Sequence, residues 1–494
     1  MNPRISHILK LACSICIIFF LATPATFSDE LPPAVRNALR QAQIPLSSVG
    51  IEVREINGAA PLIQVNAKEA MNPASTMKLL TTYAALEILG PAYTWRTEAY
   101  TDGNLENGVL HGNLIIKGYG NPKINSEQLW LWLQELRNRG LREIQGDLIL
   151  DRSAFSIPEN DPAAFDHDPT RAYNVGPDAL LLNFDAIRMH FIPADGKVNV
   201  YTEPALAGIT LDNQISLTVQ HHCGEWDEHI HIQTSGNVIH LQGHYPVACG
   251  EHDKAYSLLP HTQYFDAVFR SVWQEVGGSW NGITRNGVTP SSAMLFSTQY
   301  SQPLSEIIRD INKFSNNVMA KQLFLSLSLN KEAPTKNIPR TNTPIDTSLP
   351  EAPPQASIEQ SEIVLRNWIA QKGFDFPELV LENGAGLSRT ERISPHNMAL
   401  LLQDIQLSPF SAEIEASLPI VGVDGTMKKR HDNCTVTTHA HLKTGSLEGV
   451  KSIAGFLQSH SGKQWILVFI INHPNAAMGQ QAQDELIDWL EQNY

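Results

Sequence analysis

At 494 residues the chain is longer than one hydrophobic core supports, so two or three domains are expected. Its apolar share of 42% and charged share of 18% are those of a folded soluble protein, and a formal charge of −15 argues against nucleic acid as a partner.

Arg4 and Lys10 precede the apolar run Leu11 to Leu21, and small residues at Ala22 to Ala25 offer a cleavage site before Ser28. Residues 1–28 therefore read as a secretory signal peptide. The run is short for a bilayer span of about 20 residues, and no later stretch qualifies, so no stable membrane span is expected after signal removal. Cys13 and Cys16 fall in this segment, and Lys10 stands where a lipoprotein signal wants an apolar residue. The mature chain keeps Cys223, Cys249 and Cys434. The first two flank a strand-rich stretch that can fold back on itself, so a Cys223–Cys249 disulfide is expected in an oxidising compartment, with Cys434 free. His221 and His222 beside Cys223 lack a CxxC or HExxH frame, and no metal site is expected there.

Val49 to Val53 and Pro61 to Val65 read as two strands joined by the turn Asn57-Gly58. A helix follows: Asn72 is placed to cap it and Pro73 suits its first position. Met77, Leu80, Ala84 and Ile88 form its apolar face, and Gly90-Pro91 stops it. From Trp95 the texture changes. A helix-like run from Glu127 to Arg139 leads into a strand from Gly146 to Leu150; later, a helix-like run from Phe265 to Val276 leads into Trp280 to Arg285. Two such units bracketing a middle region suggest one domain interrupted by another. Between them, from Phe184 to Gly250, short alternating runs punctuated by Gly and Asn read as an all-β insert. Leu304, Ile307, Ile308, Ile311 and Phe314 resume the helical period. Asn330 to Ser357 carries six prolines among Thr, Asn and Ser and reads as a mobile surface loop. Ser452 to Gln458 and Gln464 to Asn472 form a hairpin.

The expected division is a catalytic domain in two parts, 29–95 and 291–494. It is split by an inserted domain, 96–183 and 251–290, which itself holds a β domain at 184–250. The fold class is α/β (α+β).

Ser75-Thr76-Met77-Lys78 stands at the start of the first helix, where a spacing of three sets hydroxyl and amine on adjacent turns of one face. Such a pair can share a proton if desolvation or a nearby cation lowers the lysine pKa toward neutrality. Alone the pattern is weak: Ser328-Leu329-Asn330-Lys331 has the same spacing but runs into the Pro-rich stretch. Ser315-Asn316-Asn317 lies between two helical segments and can reach a cleft, though Ser235-Gly236-Asn237 and Ser328-Leu329-Asn330 match its pattern too. Lys443-Thr444-Gly445-Ser446 has no second copy. A lysine charge, two hydroxyl donors and a glycine that leaves room for a substrate backbone make a receptor for a peptide carboxylate.

The three elements in the order S-x-x-K, S-x-N, K-T-G are far more specific than any one. With them the chain resembles the low-molecular-mass, class C penicillin-binding proteins of the D-alanyl-D-alanine carboxypeptidase and endopeptidase type, which carry a large insert between the first and second motifs. Gly146-Asp147-Leu148, Tyr173 to Asn183, Gly384 to Arg389 and Gly422 to Thr426 look like family landmarks. Asn383-Gly384-Ala385 departs from the family's Asp-Gly-Ser. The resemblance implies a penicillin-binding, serine β-lactamase-like catalytic domain acting in the periplasm on peptidoglycan stem peptides or cross-links, trapped by β-lactam antibiotics and needing no cofactor. It implies Ser75 as nucleophile, Lys78 as general base and Ser315 as proton relay, with Asn317 holding Lys78 and the substrate amide. Lys443 would keep the cleft electropositive, Thr444 and Ser446 would bind the terminal carboxylate, and Asp151 and Arg389 would line a pocket for the stem peptide's third residue. A β-lactamase or esterase on the same fold, or a cell-wall-binding relative without activity, are the alternatives that an assay for D-alanine release separates.

Overall fold

The computed structural model describes residues 31–329, 355–430 and 439–494. The expected signal peptide, nearly all of the Pro-rich stretch and Cys434 lie outside the described residues.

Strands from both ends of the chain build one antiparallel sheet, in the order Ala440–Leu447, Val450–Gln458, Gln464–Asn472, Val49–Glu55, Pro61–Val65. Its central strand is apolar on both faces, as a sheet covered on both sides requires, and its residues alternate between two cores. Ile466, Val468 and Ile470 pack among the helices Lys78–Leu89, Leu304–Lys313, Asn317–Leu329 and Pro395–Leu407. Leu467, Phe469 and Ile471 pack beneath the first and last helices, Pro33–Gln41 and Gln480–Asn493. The strand that carries Lys443-Thr444-Gly445 is the sheet's edge, so one side of its backbone faces the cleft rather than a neighbour.

The two helix-to-strand units lie side by side. Helix Ser126–Asn138 runs into Glu143–Ile144 and Leu148–Asp151, and helix His261–Glu275 into Ser279–Trp280 and Thr284–Asn286. Corresponding strands pair in parallel, Ser279 with Glu143 and Thr284 with Leu148, and the helices pack together, which accounts for the internal likeness of the sequence. Between the units stand two three-stranded sheets. His252–Tyr256 pairs with Ile187–Ala194, so the β region continues past Gly250, where turn-forming residues suggest an end. Cys223 and Cys249 form a disulfide across this region.

One local expectation is corrected. Asn72 does not cap an α-helix, because Ala74 sits at φ +46° and residues Ala74–Met77 form a 3₁₀ turn; the α-helix begins only at Lys78. Pro73 precedes that turn rather than opening a helix.

The disulfide closes a separation of 26 residues, so replacing both cysteines by alanine is expected to destabilise the β region by about 3 kcal/mol. Thermal unfolding should show an earlier transition, while the rate at which a penicillin labels the catalytic domain stays within twofold.

Candidate active site

The turn that carries Ser75 is held from every side by backbone and amide contacts. Asn72 Oδ1 accepts from the Ala74 amide at 2.9 Å, its Nδ2 donates to the Ser388 carbonyl at 2.8 Å, and its own amide donates to Asn472 Oδ1 at 2.8 Å. Ser452 Oγ donates to the Pro73 carbonyl at 2.6 Å. Two glycines allow the turn to sit where it does. A Cβ on Gly386, at φ +76°, would lie 1.9 Å from the Ala74 carbonyl oxygen; one on Gly445 would lie 2.9 Å from the Ser75 nitrogen and 2.8 Å from the Pro73 oxygen. Gly445 thus makes room for the turn bearing Ser75 as well as for any substrate backbone.

Lys78, the first residue of the helix, is wholly buried. Its Nζ lies 2.9 Å from Ser75 Oγ and 2.7 Å from Asn317 Oδ1, and also donates to the Ala385 carbonyl. Burial, then the charge of Lys443, drives its pKa well below the ordinary lysine value. A neutral amine has two N–H donors and one lone pair, and three contacts fit that form: donors to Asn317 and Ala385, the lone pair toward the Ser75 hydroxyl. Spacing alone anticipates the Ser75–Lys78 contact, but the two partners that fix the amine come from elements more than 200 residues away.

Ser315 adopts φ +56° between the helices Leu304–Lys313 and Asn317–Leu329. Asn316 Oδ1 accepts from the Met319 amide at 3.0 Å and so starts the second helix with Asn317 turned to Lys78. Lys313 pairs with Asp424 at 2.6 Å, and Asp424 also accepts from the Ile420 amide at 2.8 Å. This tie gives the Gly422 to Thr426 segment its role: it anchors the turn before Ser315 and carries Thr426, whose hydroxyl lies 2.6 Å from that of Thr444. Lys443 Nζ donates to Ser315 Oγ at 2.8 Å and to the Thr444 carbonyl at 2.7 Å. Lys443 is fully buried, and that burial lowers its pKa to about 7.

The sequence gives no signal for Glu391. It is fully buried, and one oxygen accepts from the amides of Glu382, Asn383 and Gly384 at 3.1, 3.0 and 3.1 Å. Burial raises its pKa while those amides pull it down, and its charge supports the protonated form of Lys78. Asn383, at the departure from Asp-Gly-Ser, thus stands in a loop that the Glu391 carboxylate pins from behind.

A cavity of about 840 Å³ connects Ser75, Ser315, Asn317, Thr444 and Ser446 with Arg389. Arg389 donates to the Glu448 carbonyl at 3.0 Å and stacks 4.6 Å from the Phe165 ring. Asp151 is not among the residues lining this cavity. It closes its strand fully buried, accepting from the Ser153 and Thr289 amides at 3.0 and 2.8 Å. Burial opposes its ionisation, yet the bonds from Ser153 and Thr289 hold its pKa below the usual value. It ties two loops within the insert. Two carboxylates line the cavity: Glu448, which pairs with Arg389 at 3.3 Å, and Asp166, beside Phe165 and Tyr173. Its clue in the sequence is the Asp166, Asp168, Arg171 charge cluster next to the Tyr173 landmark. Of the decoys, Ser328 lies within a helix, its hydroxyl bonded to the Leu325 carbonyl. Ser235 and Asn237 frame a strand-to-strand turn.

The profile of the "D-Ala-D-Ala carboxypeptidase 3 (S13)" family matches residues 31–338 and 350–493. D-alanyl-D-alanine carboxypeptidase DacB of Haemophilus influenzae is 26% identical over 441 residues, 86% of this chain and 85% of the relative. A D-alanyl-D-alanine carboxypeptidase of an Actinomadura species is 24% identical over 486 residues, 92% of this chain and 81% of the relative. The crystal structure of penicillin binding protein 4 from H. influenzae superposes with a TM-score of 0.72 at 23% identity, covering 92% of this chain and 99% of the other. A penicillin G-acylated endopeptidase from Bdellovibrio bacteriovorus gives 0.51 at 13% identity, over 90% and 93%. Both structures share the fold.

Two substitutions test this geometry. Gly445→Ala should lower the rate of penicillin acylation by about 100-fold, since a displacement near 1 Å at a nucleophile has that effect. Glu391→Gln keeps an acceptor for the loop but removes the charge that favours protonated Lys78. The acid limb of the pH profile for acylation should therefore move to lower pH; an upward shift would refute the assignment.

Proposed function

This chain belongs to the D-Ala-D-Ala carboxypeptidase 3 (S13) family of serine hydrolases, and from that premise we propose that it cleaves both the D-alanyl-D-alanine ends and the cross-links of peptidoglycan stem peptides through an acyl-enzyme on Ser75. The observation that carries the mechanism is the buried Lys78 amine, 2.9 Å from Ser75 Oγ and with a depressed pKa. Neutral Lys78 takes the Ser75 proton as Oγ attacks the penultimate D-alanine carbonyl. The backbone amides of Ser75 and Ser446 stabilise the oxyanion on the edge strand. Ser315, held at 2.8 Å by Lys443, gives its proton to the leaving amine and regains one from protonated Lys78, which is thereby neutral again for the next step. Asn317 fixes Lys78 through Oδ1 and keeps its Nδ2 to donate to a substrate amide carbonyl, and Thr444 and Ser446 bind the leaving residue's carboxylate. Water, deprotonated by Lys78, then releases the shortened peptide.

On the acyl side, Arg389 with Asp166 in place of Asp151 receives the charged end of the stem peptide's third residue: a guanidinium for a carboxylate, a carboxylate for an amine. Asp166 is held by Tyr173, Asn174 and Arg171 at 2.6, 2.7 and 2.8 Å, so it is pre-set, and a substrate amine would share it with Arg171. Among the described residues no helix is long and apolar enough to cross a membrane, and we place the enzyme in the periplasm, secreted by its leader. β-Lactams are its inhibitors because they present the same carbonyl and carboxylate and leave the ester slowly.

Intact mass after incubation with a penicillin should rise by one equivalent, mapped to Ser75. Ser75→Ala should abolish labelling and D-alanine release alike, and undiminished labelling would move the nucleophile elsewhere. Lys78→Arg should lose at least 1000-fold in acylation, on the order of what a missing general base removes, because a guanidinium is not deprotonated in a protein.

A further inference from the structure

The basic residues lining the cavity that holds Ser75 fall into two groups. In one, Arg389 lies over Phe165 and pairs with Glu448, and Arg171 is neutralised by Asp166 and Asp168. The other, with Thr444 and its neighbour Thr426, comprises Lys429, Arg430 and Lys451. Arg430 has a carboxylate, Asp484. Among the described residues, Lys429 and Lys451 have neither a hydrogen-bond partner nor an ion-pair partner.

Their placement is specific. Lys451 stands directly opposite Ser446 across the strand pair, so the two side chains share one face of the sheet. Lys429 follows the turn Gly425–Met427, which sets Thr426 against Thr444. Lys451 is half-buried and close enough to Arg430 that burial, and then the arginine's charge, lowers its pKa. Asp484 offsets part of this positive charge, but it is engaged by Arg430, which leaves Lys429 and Lys451 able to meet an anion in the cavity. Thr444 and Ser446 offer hydroxyls suited to one carboxylate; the lysines beyond them face anions further out.

We propose that Lys429 and Lys451 form a leaving-side subsite for carboxylates that the departing group carries in addition to the one bound by Thr444 and Ser446. This rests on the reading that Ser75 attacks a D-alanyl amide. Free D-alanine departs with a single carboxylate and leaves the subsite empty. A departing stem peptide carries further carboxylates along its length and fills it. The subsite therefore favours cross-links over pentapeptide ends, and its ligand is an anionic peptide. Lys429 and Lys451 are specificity-determining residues that touch the leaving strand; the bond broken is the same amide, and no proton passes through them.

The test compares wild type with Lys429→Met/Lys451→Met and with Lys429→Gln alone on two substrates, a soluble pentapeptide and a cross-linked dimer of stem peptides. Because Lys429 is exposed, the single variant keeps the test valid if the double variant folds poorly, which the penicillin acylation rate reports. The double variant should lose about tenfold in kcat/KM on the dimer, mostly through KM, the size of one lost charge-assisted contact. The pentapeptide should change less than twofold. Lys429→Gln should lose part of the dimer rate only, and 0.5 M salt should remove most of the wild-type preference, since screening at that strength reaches about 4 Å. Equal losses on both substrates would assign the lysines to the common carboxylate and overturn the subsite, as would an unchanged dimer rate. If wild type cleaves neither substrate while penicillin still acylates Ser75, the D-alanyl reading fails, and the subsite with it.

Discussion

Everything at the centre of this protein depends on keeping one lysine dry. Lys78 has no exposed surface and three fixed partners, and it is useful as a base only because burial makes its charged form unfavourable. Dryness requires walls, and each wall comes from a different stretch of chain. The Ser75 turn is next to it in sequence, Asn317 opens a helix after the insert, and Ala385 belongs to a loop that Glu391 pins from below. Exposing the amine to water on any side would restore its ordinary basicity and leave Ser75 with a protonated neighbour.

That requirement explains the way the chain is laid out. The insert separates Lys78 from Asn317 in sequence, but the two ends of the chain close over the same sheet, with Val49–Glu55 paired to Gln464–Asn472. The central strand buries alternate residues in two cores, so the sheet is clamped by helices on both faces and its edge strand holds a fixed position beside the Ser75 turn. The tolerance there is small. Gly445 and Gly386 approach the turn within distances that no Cβ accommodates. The stretch between the first two motifs has sheets and a large core of its own, and it meets the helix Asn317–Leu329 where Phe155 and Ala179 cluster with Leu325 and Leu181 with Val318.

Local features of this arrangement are legible in the sequence, and distant ones are not. The hairpins, the amphipathic Leu304–Lys313 helix and the repeated helix-to-strand unit follow from periods of 2 and 3.6, which neighbouring residues set. The three motifs are legible as a set because their order is improbable, although S-x-x-K and S-x-N each have copies elsewhere. Asn72 was misleading: it has the composition of a helix cap, but the left-handed Ala74 diverts it into bracing a tight turn, and nothing in propensity announces that. Asp151 misled for a related reason. A carboxylate at a strand end looks available, yet it is consumed by Ser153 and Thr289, while Asp166 in an irregular loop reaches the cavity. Glu391 has no local signature at all, since its partners are defined only once the 382–385 loop has folded over it.

The balance of charge across the site is the last consequence. Lys443 and Lys321 both disfavour protonated Lys78, and Glu391 favours it, with burial outweighing each of them. A site of buried cations alone would hold the base permanently neutral and unable to keep the proton it takes from Ser75; a site with a strong acid in contact would hold it permanently charged. Glu391 lies between these limits because its charge is spent on three backbone amides before it reaches Lys78. Glu391 stands behind the 382–385 loop, whose amides it accepts from. The same Lys78 can then accept a proton in acylation and return it in the next step, with Lys443 and Ser315 completing the path on the leaving side. Buried charge of both signs, each incompletely neutralised, is what lets one amine do both.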